Sequence, residues 1–64
     1  MKGDVYRERK IVNHHIHIRE FLDMDGGCHY KWTRFTISGR EYPVGSFDIL
    51  RKENIDWEHT KKIA

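Results

Sequence analysis

Cys28 and five histidines, His14, His15, His17, His29 and His59, are the side chains in this sequence best equipped for metal ligation or nucleophilic chemistry. His15 and His17 stand two apart, so on a strand they project from one face and are placed to share a metal, while His14 points the other way. Further donors are hard to find. Cys28 lies about ten strand residues beyond His17, at roughly 3.3 Å per residue, which is too far for one site. Adjacent strand residues face opposite ways, so Cys28 has no help from His29 in forming a thiolate. Ser38 and Ser46 fall in turns with no base beside them, and Asp23 and Asp25 flank Gly26-Gly27 as turn formers do. That glycine pair joins two strands rather than a strand and a helix, so it is no phosphate cradle. The expectation is a protein that is not an enzyme and holds neither metal nor other cofactor.

The aromatic and basic residues make a stronger pattern. Phe21, Tyr30 and Trp32 alternate onto the face opposite Ile16, Ile18, Phe35 and Ile37, in company with His17, Arg19 and Arg34. With the aliphatic face packed into the core, the second face shows aromatics interleaved with cations. Arg19, Phe21, Tyr30, Trp32 and Arg34 are therefore the candidate partner-binding residues, the aromatics as anchors and the arginines as orienting charges. Trp, Tyr and Arg dominate protein-interface hot spots, and single-stranded nucleic acid stacks on the same side chains. The competing reading makes Phe21 and Trp32 a second core patch, because a strongly bent strand contributes to a core from both faces.

Positioning these residues falls to a hairpin. From Val12 to Met24 the even positions are mostly apolar and the odd ones mostly polar, a period of two that argues for one half-buried strand. Asp25-Gly26-Gly27 then signals a tight turn, and residues 28–37 resume a strand rich in β-favouring side chains. An Asp25-Gly26 loop pairs residues whose numbers sum to 51, and a Gly26-Gly27 loop those summing to 53. The first sets Glu20 opposite Lys31 and Arg19 opposite Trp32; the second sets Arg19 against Arg34, which is unfavourable. The first is preferred, and it places Thr36 and Arg34, neither a good zinc ligand, opposite His15 and His17. Residues 3–7 read as a short opening strand, Ser38-Gly39-Arg40 as a turn, and 41–44 as a third meander strand kept at an edge by Pro43. Ser46 is a good N-cap for one helical turn over 47–50 with Phe47 and Leu50 pointing inward. Residues 54–57 read as a last strand or anchored coil with Ile55 and Trp57 docked, and 57–64 as a frayed helical tail.

Sixty-four residues support a single small domain, 1–64, without room for a deep cleft and a core around it. The net charge of +2 conceals an alternation: residues 2–19 carry +3, 20–30 carry −3, 31–40 carry +3, and the rest −1. A dedicated nucleic-acid binder is usually more one-sided. A single cysteine excludes an internal disulfide, and no apolar run approaches the roughly 20 residues of a membrane helix. The expected location is the cytoplasm, with no membrane partner.

Four or five short antiparallel strands with one helical turn are too few for a sandwich and suit a small barrel. Residues 3–7, the stretch His15-Ile16-His17-Ile18 leading into the Asp-Gly-Gly hairpin, and Tyr42-Pro43-Val44 before Ser46-Phe47-Asp48-Ile49-Leu50 resemble the SH3-like small barrels common among short phage and prophage proteins. The resemblance covers residues 3–57 and is one of fold. It implies binding of proteins, peptides or nucleic acids rather than catalysis. The expected function is a non-catalytic binding protein, a phage-encoded regulator or inhibitor that blocks a larger host or defence protein by direct contact. The alternative is a nucleic-acid-binding barrel with Lys2, Arg7, Arg9, Lys10, Lys31, Arg34 and Arg40 on phosphates. A third outcome is self-association through the edge strand at 41–44, against which Pro43 stands.

Overall fold

The alternation from Val12 to Met24 breaks where Asn13 and His14 both take positive φ, 50° and 68°. Positive φ at two central residues makes the two-residue turn of a tight hairpin. Strand β1 (Val5–Val12) therefore runs on past the expected residue 7 and returns as β2 (His15–Asp23), paired from Val5↔Leu22 to Val12↔His15. A loop at 24–28 leads to β3 (His29–Ile37), and a second two-residue turn, Ser38 (φ 52°) and Gly39 (φ 80°), to β4 (Arg40–Tyr42). Then come β5 (Leu50–Arg51), two 3₁₀ turns at Lys52–Asn54 and Trp57–His59, and β6 (Thr60–Lys62). The computed structural model describes residues 1–45 and 49–64. The expected N-cap Ser46 and inward Phe47 lie outside the described residues; Leu50 does point inward, from a strand rather than a helical turn.

The sheet order is β4-β3-β2-β1-β6, with β5 also on β3. β4 pairs with Phe35–Ile37 and β5 with His29–Tyr30, so the two form one interrupted strand along the outer edge of β3. β6 pairs with the opposite edge, β1, at Glu8↔Thr60 and Tyr6↔Lys62. Nothing among the described residues bonds those two edges together, so the sheet is open. The SH3-like barrel is thereby corrected to a mainly β domain with an unclosed, six-stranded sheet and short 3₁₀ turns. Closure needed a strand to bridge β3 and β1, and the connection between them, 52–59, crosses one face of the sheet as a strap instead. Nor is 57–64 a helical tail: after the 3₁₀ turn at Trp57–His59 the chain pairs with the free edge of β1, with Ile63 N–H on the Val5 carbonyl at 2.8 Å.

The register of β2 on β3 decides which face the strap covers. Beside the loop, Phe21↔Trp32, Leu22↔Lys31 and Asp23↔Tyr30 pair; farther on, Glu20↔Arg34, Arg19↔Phe35, Ile18↔Thr36 and His17↔Ile37 pair. Thr33 is the extra residue of a β-bulge between them. The preferred register, summing to 51, is thus overturned. The one rejected for opposing Arg19 to Arg34 holds near the loop, and the bulge removes that clash by moving Arg34 opposite Glu20. It also turns Phe35 and Ile37 onto the face of Tyr30 and Trp32.

That face is the core. Phe21 is wholly buried and packs with Tyr30, Leu50 and Ile55, with Tyr6 and Trp32 at the margin. Phe21 and Tyr30 meet edge to face at 5.5 Å, and Trp57 from the strap stands edge-on to Tyr6 and to Tyr30, each at 5.7 Å. Burial raises the phenol pKa of both tyrosines. Ile55 is buried as expected, and Trp57 rests edge-on against Tyr6 and Tyr30 while 44% exposed, its indole N–H donating to the Lys52 carbonyl at 3.0 Å. The expected aliphatic core face is instead the outer one, where Ile11 and Ile16 are exposed. Aromatic rings bury the larger area per side chain, and the strap brings more of them to the face that already holds Tyr6, Phe21 and Tyr30.

Candidate functional site

Two carboxylates are buried on the core face, Asp23 at the β2–β3 loop and Glu8 under the strap. Glu8 on β1 and Arg19 on β2 are cross-strand partners, and the carboxylate accepts from Arg19 Nε at 2.7 Å and from its Nη2 at 2.5 Å. Glu8 also accepts the Asp56 N–H at 2.9 Å, and Arg19 donates to the Asn54 carbonyl at 3.1 Å. Both strap contacts therefore run through this one bidentate pair, which fixes the strap by hydrogen bonds as well as by packing. The guanidinium lies 5.0 Å from the centroid of the Trp32 ring, so its other surface is occupied by an aromatic.

Beyond the strap the inner face opens into a groove of ≈ 350 Å³. Trp32, Phe35 and Val12 give it apolar walls, His17 and Lys10 stand at its rim, and Glu8, Arg19 and Asn54 close it on the strap side. Phe35 is the hub of the walls, with Trp32 edge-on at 5.7 Å, His17 edge-on at 6.2 Å and Tyr42 tilted at 6.0 Å. Arg40 lies over Tyr42 at 5.8 Å and extends this aromatic row to the β4 edge. The charges at the groove are largely matched: Arg19 is held by Glu8, and Lys10 Nζ lies 3.7 Å from Asp56 Oδ2.

The expected partner-binding residues are scattered by these placements. Trp32 lines the groove and Arg19 forms its floor, but Phe21 and Tyr30 are core residues with no surface to offer. Arg34 sits on the outer face, where its Nε donates to Glu41 at 3.0 Å and its Nη1 lies 3.6 Å from Glu20. Arg7 reaches the same Glu20 at 3.2 Å, so Arg7, Glu20, Arg34 and Glu41 form a row of alternating charge across four strands. Phe35 and Val12 were missed as groove residues. The available signal was the Trp32–Phe35 spacing of three, which puts both on one face only if the strand carries an extra residue.

Several of the residues suited to chemistry are held in local hydrogen bonds. In the β2–β3 loop Asp23 Oδ1 accepts the N–H groups of Asp25, Gly26 and Gly27, and Asp25 Oδ1 accepts those of Cys28 and His29. Asp25 is lowered well below the usual carboxylate range, first by the His29 backbone N–H and then by the His29 ring at 2.6 Å. Burial pushes Asp23 up, but the Met1 ammonium and the loop N–H groups outweigh it and the net shift is downward. His15 Nδ1 is bonded to Ser38 Oγ at 2.9 Å. Asp56, Glu58 and His59 hold ligand-type atoms within 4.8 Å of one another, a grouping of metal-donor types that spacing along the chain did not single out. Asp56 already serves His59 Nδ1 at 2.9 Å, and that bond is the main cause of its lowered pKa.

Comparison with protein-family models, with curated proteins and with solved structures returns no match. The resemblance to phage and prophage barrel proteins therefore has neither a closed barrel nor a relative behind it, and it is withdrawn. Among the described residues no helix is long and apolar enough to cross a membrane.

Proposed function

We propose that this chain is a non-catalytic protein-binding module whose inner-face groove receives an apolar side chain from a larger partner. The observation that carries the reading is the wall of Trp32, Phe35 and Val12 beside a polar floor already saturated by the Glu8–Arg19 pair. Such a floor asks nothing of a ligand, so affinity comes from covering aromatic area, as at protein hot spots. The matched charges at the groove favour this over a phosphate backbone, which needs cations free to release counterions. A cytoplasmic setting suits an exposed, unpaired Cys28.

The test is capture of a partner from nuclease-treated lysate by the wild-type protein, by Val12→Glu and by Lys31→Ala. A stoichiometric protein retained by the wild type and by Lys31→Ala, on the outer face, and lost from Val12→Glu supports the groove. Truncating a hot spot costs about 2 kcal/mol or more, so Phe35→Ala should weaken the isolated complex roughly thirtyfold. Equal capture by Val12→Glu refutes the placement, and loss of every partner after nuclease favours nucleic acid.

A further inference from the structure

The outer face of the sheet alternates in charge across β1, β2, β3 and β4, with Arg7 and Arg9, then Glu20, Arg34 and Glu41; Glu20 is level with Arg34, and Arg9 is level with Glu41. On this face Ile16 and Ile11 are 38% and 68% exposed, while Thr36 is buried. A row of this kind is its own complement. A two-fold axis parallel to the strands, passing between β2 and β3, sets β1 over β4 of a second copy and β2 over β3. Arg9, level with Glu41 through Ile18 and Thr36, then meets Glu41, Glu20 meets Arg34, and the same two contacts recur by symmetry. The same operation brings the uncharged Ile18 over Thr36, and Leu22 over the aliphatic stem of Lys31, so no like charges are opposed.

We propose that the protein forms a two-fold dimer through this face, the two open sheets stacking as the halves of a sandwich. Stacked sheets keep their strands nearly aligned at a spacing of about 10 Å, which suits contact between arginine and glutamate side chains. Three strands of roughly eight residues and an edge of five, about 4.8 Å apart, give a footprint of roughly 450 Å² per copy. The total of about 900 Å² is in the range of weak, transient interfaces, so the dimer is expected only at high protein concentration. Both inner-face grooves stay on the outside of this dimer.

Sedimentation equilibrium from about 10 μM to about 1 mM at low salt is the test, since it spans the affinity such an area supports. The wild type should move from 7.8 kDa to twice that mass. Glu41→Arg opposes two arginines twice over and should weaken the dimer at least about tenfold. Its side chain is 67% exposed, so circular dichroism should remain that of the wild type. Arg9→Glu, at an exposed position, fails in the same way by opposing two glutamates. An equimolar mixture of the two variants, in which every contact is again between opposite charges, should recover the dimer. A wild type that stays at 7.8 kDa overturns the proposal. So does a Glu41→Arg dimer of undiminished affinity, or a wild-type assembly that loses its extra mass to nuclease.

Discussion

Replacing Arg19 with methionine takes from Glu8 two of the three hydrogen bonds its carboxylate accepts, leaving only the Asp56 N–H. Glu8 is 4% exposed, so the remaining charge has almost no water to turn to. Breaking a buried ion pair from one side costs about 3–5 kcal/mol. Arg19 itself is 17% exposed, which favours the lower end of that range, about 3 kcal/mol. A domain of this length has roughly 3–10 kcal/mol in all, at about 0.05–0.15 per residue, so the variant should lose from about a third to all of its stability. Changing Glu8 to methionine as well removes the stranded charge and should recover part of the loss, since an apolar pair of similar volume is often no worse than the ion pair. Urea unfolding followed by the fluorescence of Trp32 and Trp57 measures both. Hydrogen exchange over 50–59 should rise in Arg19→Met before the rest of the sheet responds, because the Asn54 and Asp56 contacts go with the pair. A single variant that loses less than about 1 kcal/mol, or a double variant no more stable than the single, refutes the assignment of the pair as the clamp on the strap.

Two further outcomes follow from the turns. His14 sits at φ 68°, a conformation that costs a residue with a Cβ roughly 1–2 kcal/mol, so His14→Gly should stabilise the domain by about 1 kcal/mol in the same urea assay; a destabilised variant would show that the histidine ring compensates. Asp23, Asp25 and Asp56 all have folded pKa values below their unfolded ones, so their contribution is whole above about pH 4 and is lost as pH falls through the folded values. The urea midpoint should therefore hold from neutrality to about pH 4.5 and decline below it, with a shallower decline in Asp25→Asn, which keeps an acceptor oxygen without the charge. An identical acid limb in the two proteins would remove Asp25 from this account.

The two central strands and their approximate centres were legible in the sequence because period-two alternation is a local property, whereas the second half of β1 and the short strands β5 and β6 were not. Residues 15–23 and 29–37 alternate whether or not anything packs on them, and the Gly39 turn signals itself. The Asn13-His14 turn was not legible, since His14 is an unusual choice for positive φ and Val12-His14-Ile16 continues the alternation straight through it. Parity across the bulge was lost for a different reason. Like charges at Arg19 and Arg34 argued correctly against a uniform register, but the remedy was an inserted residue rather than a different turn. Choosing the core face then depended on the strap: Ile55 and Trp57 were read as docking, yet nothing local says that they dock on the aromatic face. The competing view of Phe21 as a core residue is the one the packing supports. The groove was half visible, through Trp32 and Arg19, and Phe35 was hidden behind the same parity error.

The bulge at Thr33 also makes this strand sensitive to length in a way that it is not sensitive to identity. Exchanging Thr33 for another residue leaves the sidedness of its neighbours intact, because the extra position remains. Losing its codon would instead rotate everything downstream in β3 by half a turn: Phe35 and Ile37 would swing to the outer face, and Arg34 and Thr36 would enter the groove. The aromatic wall and the alternating row of charge would disappear in one event, although no residue of either had been altered. Deletions and substitutions at one position are therefore of different kinds here, the second adjusting a side chain and the first exchanging the roles of two surfaces.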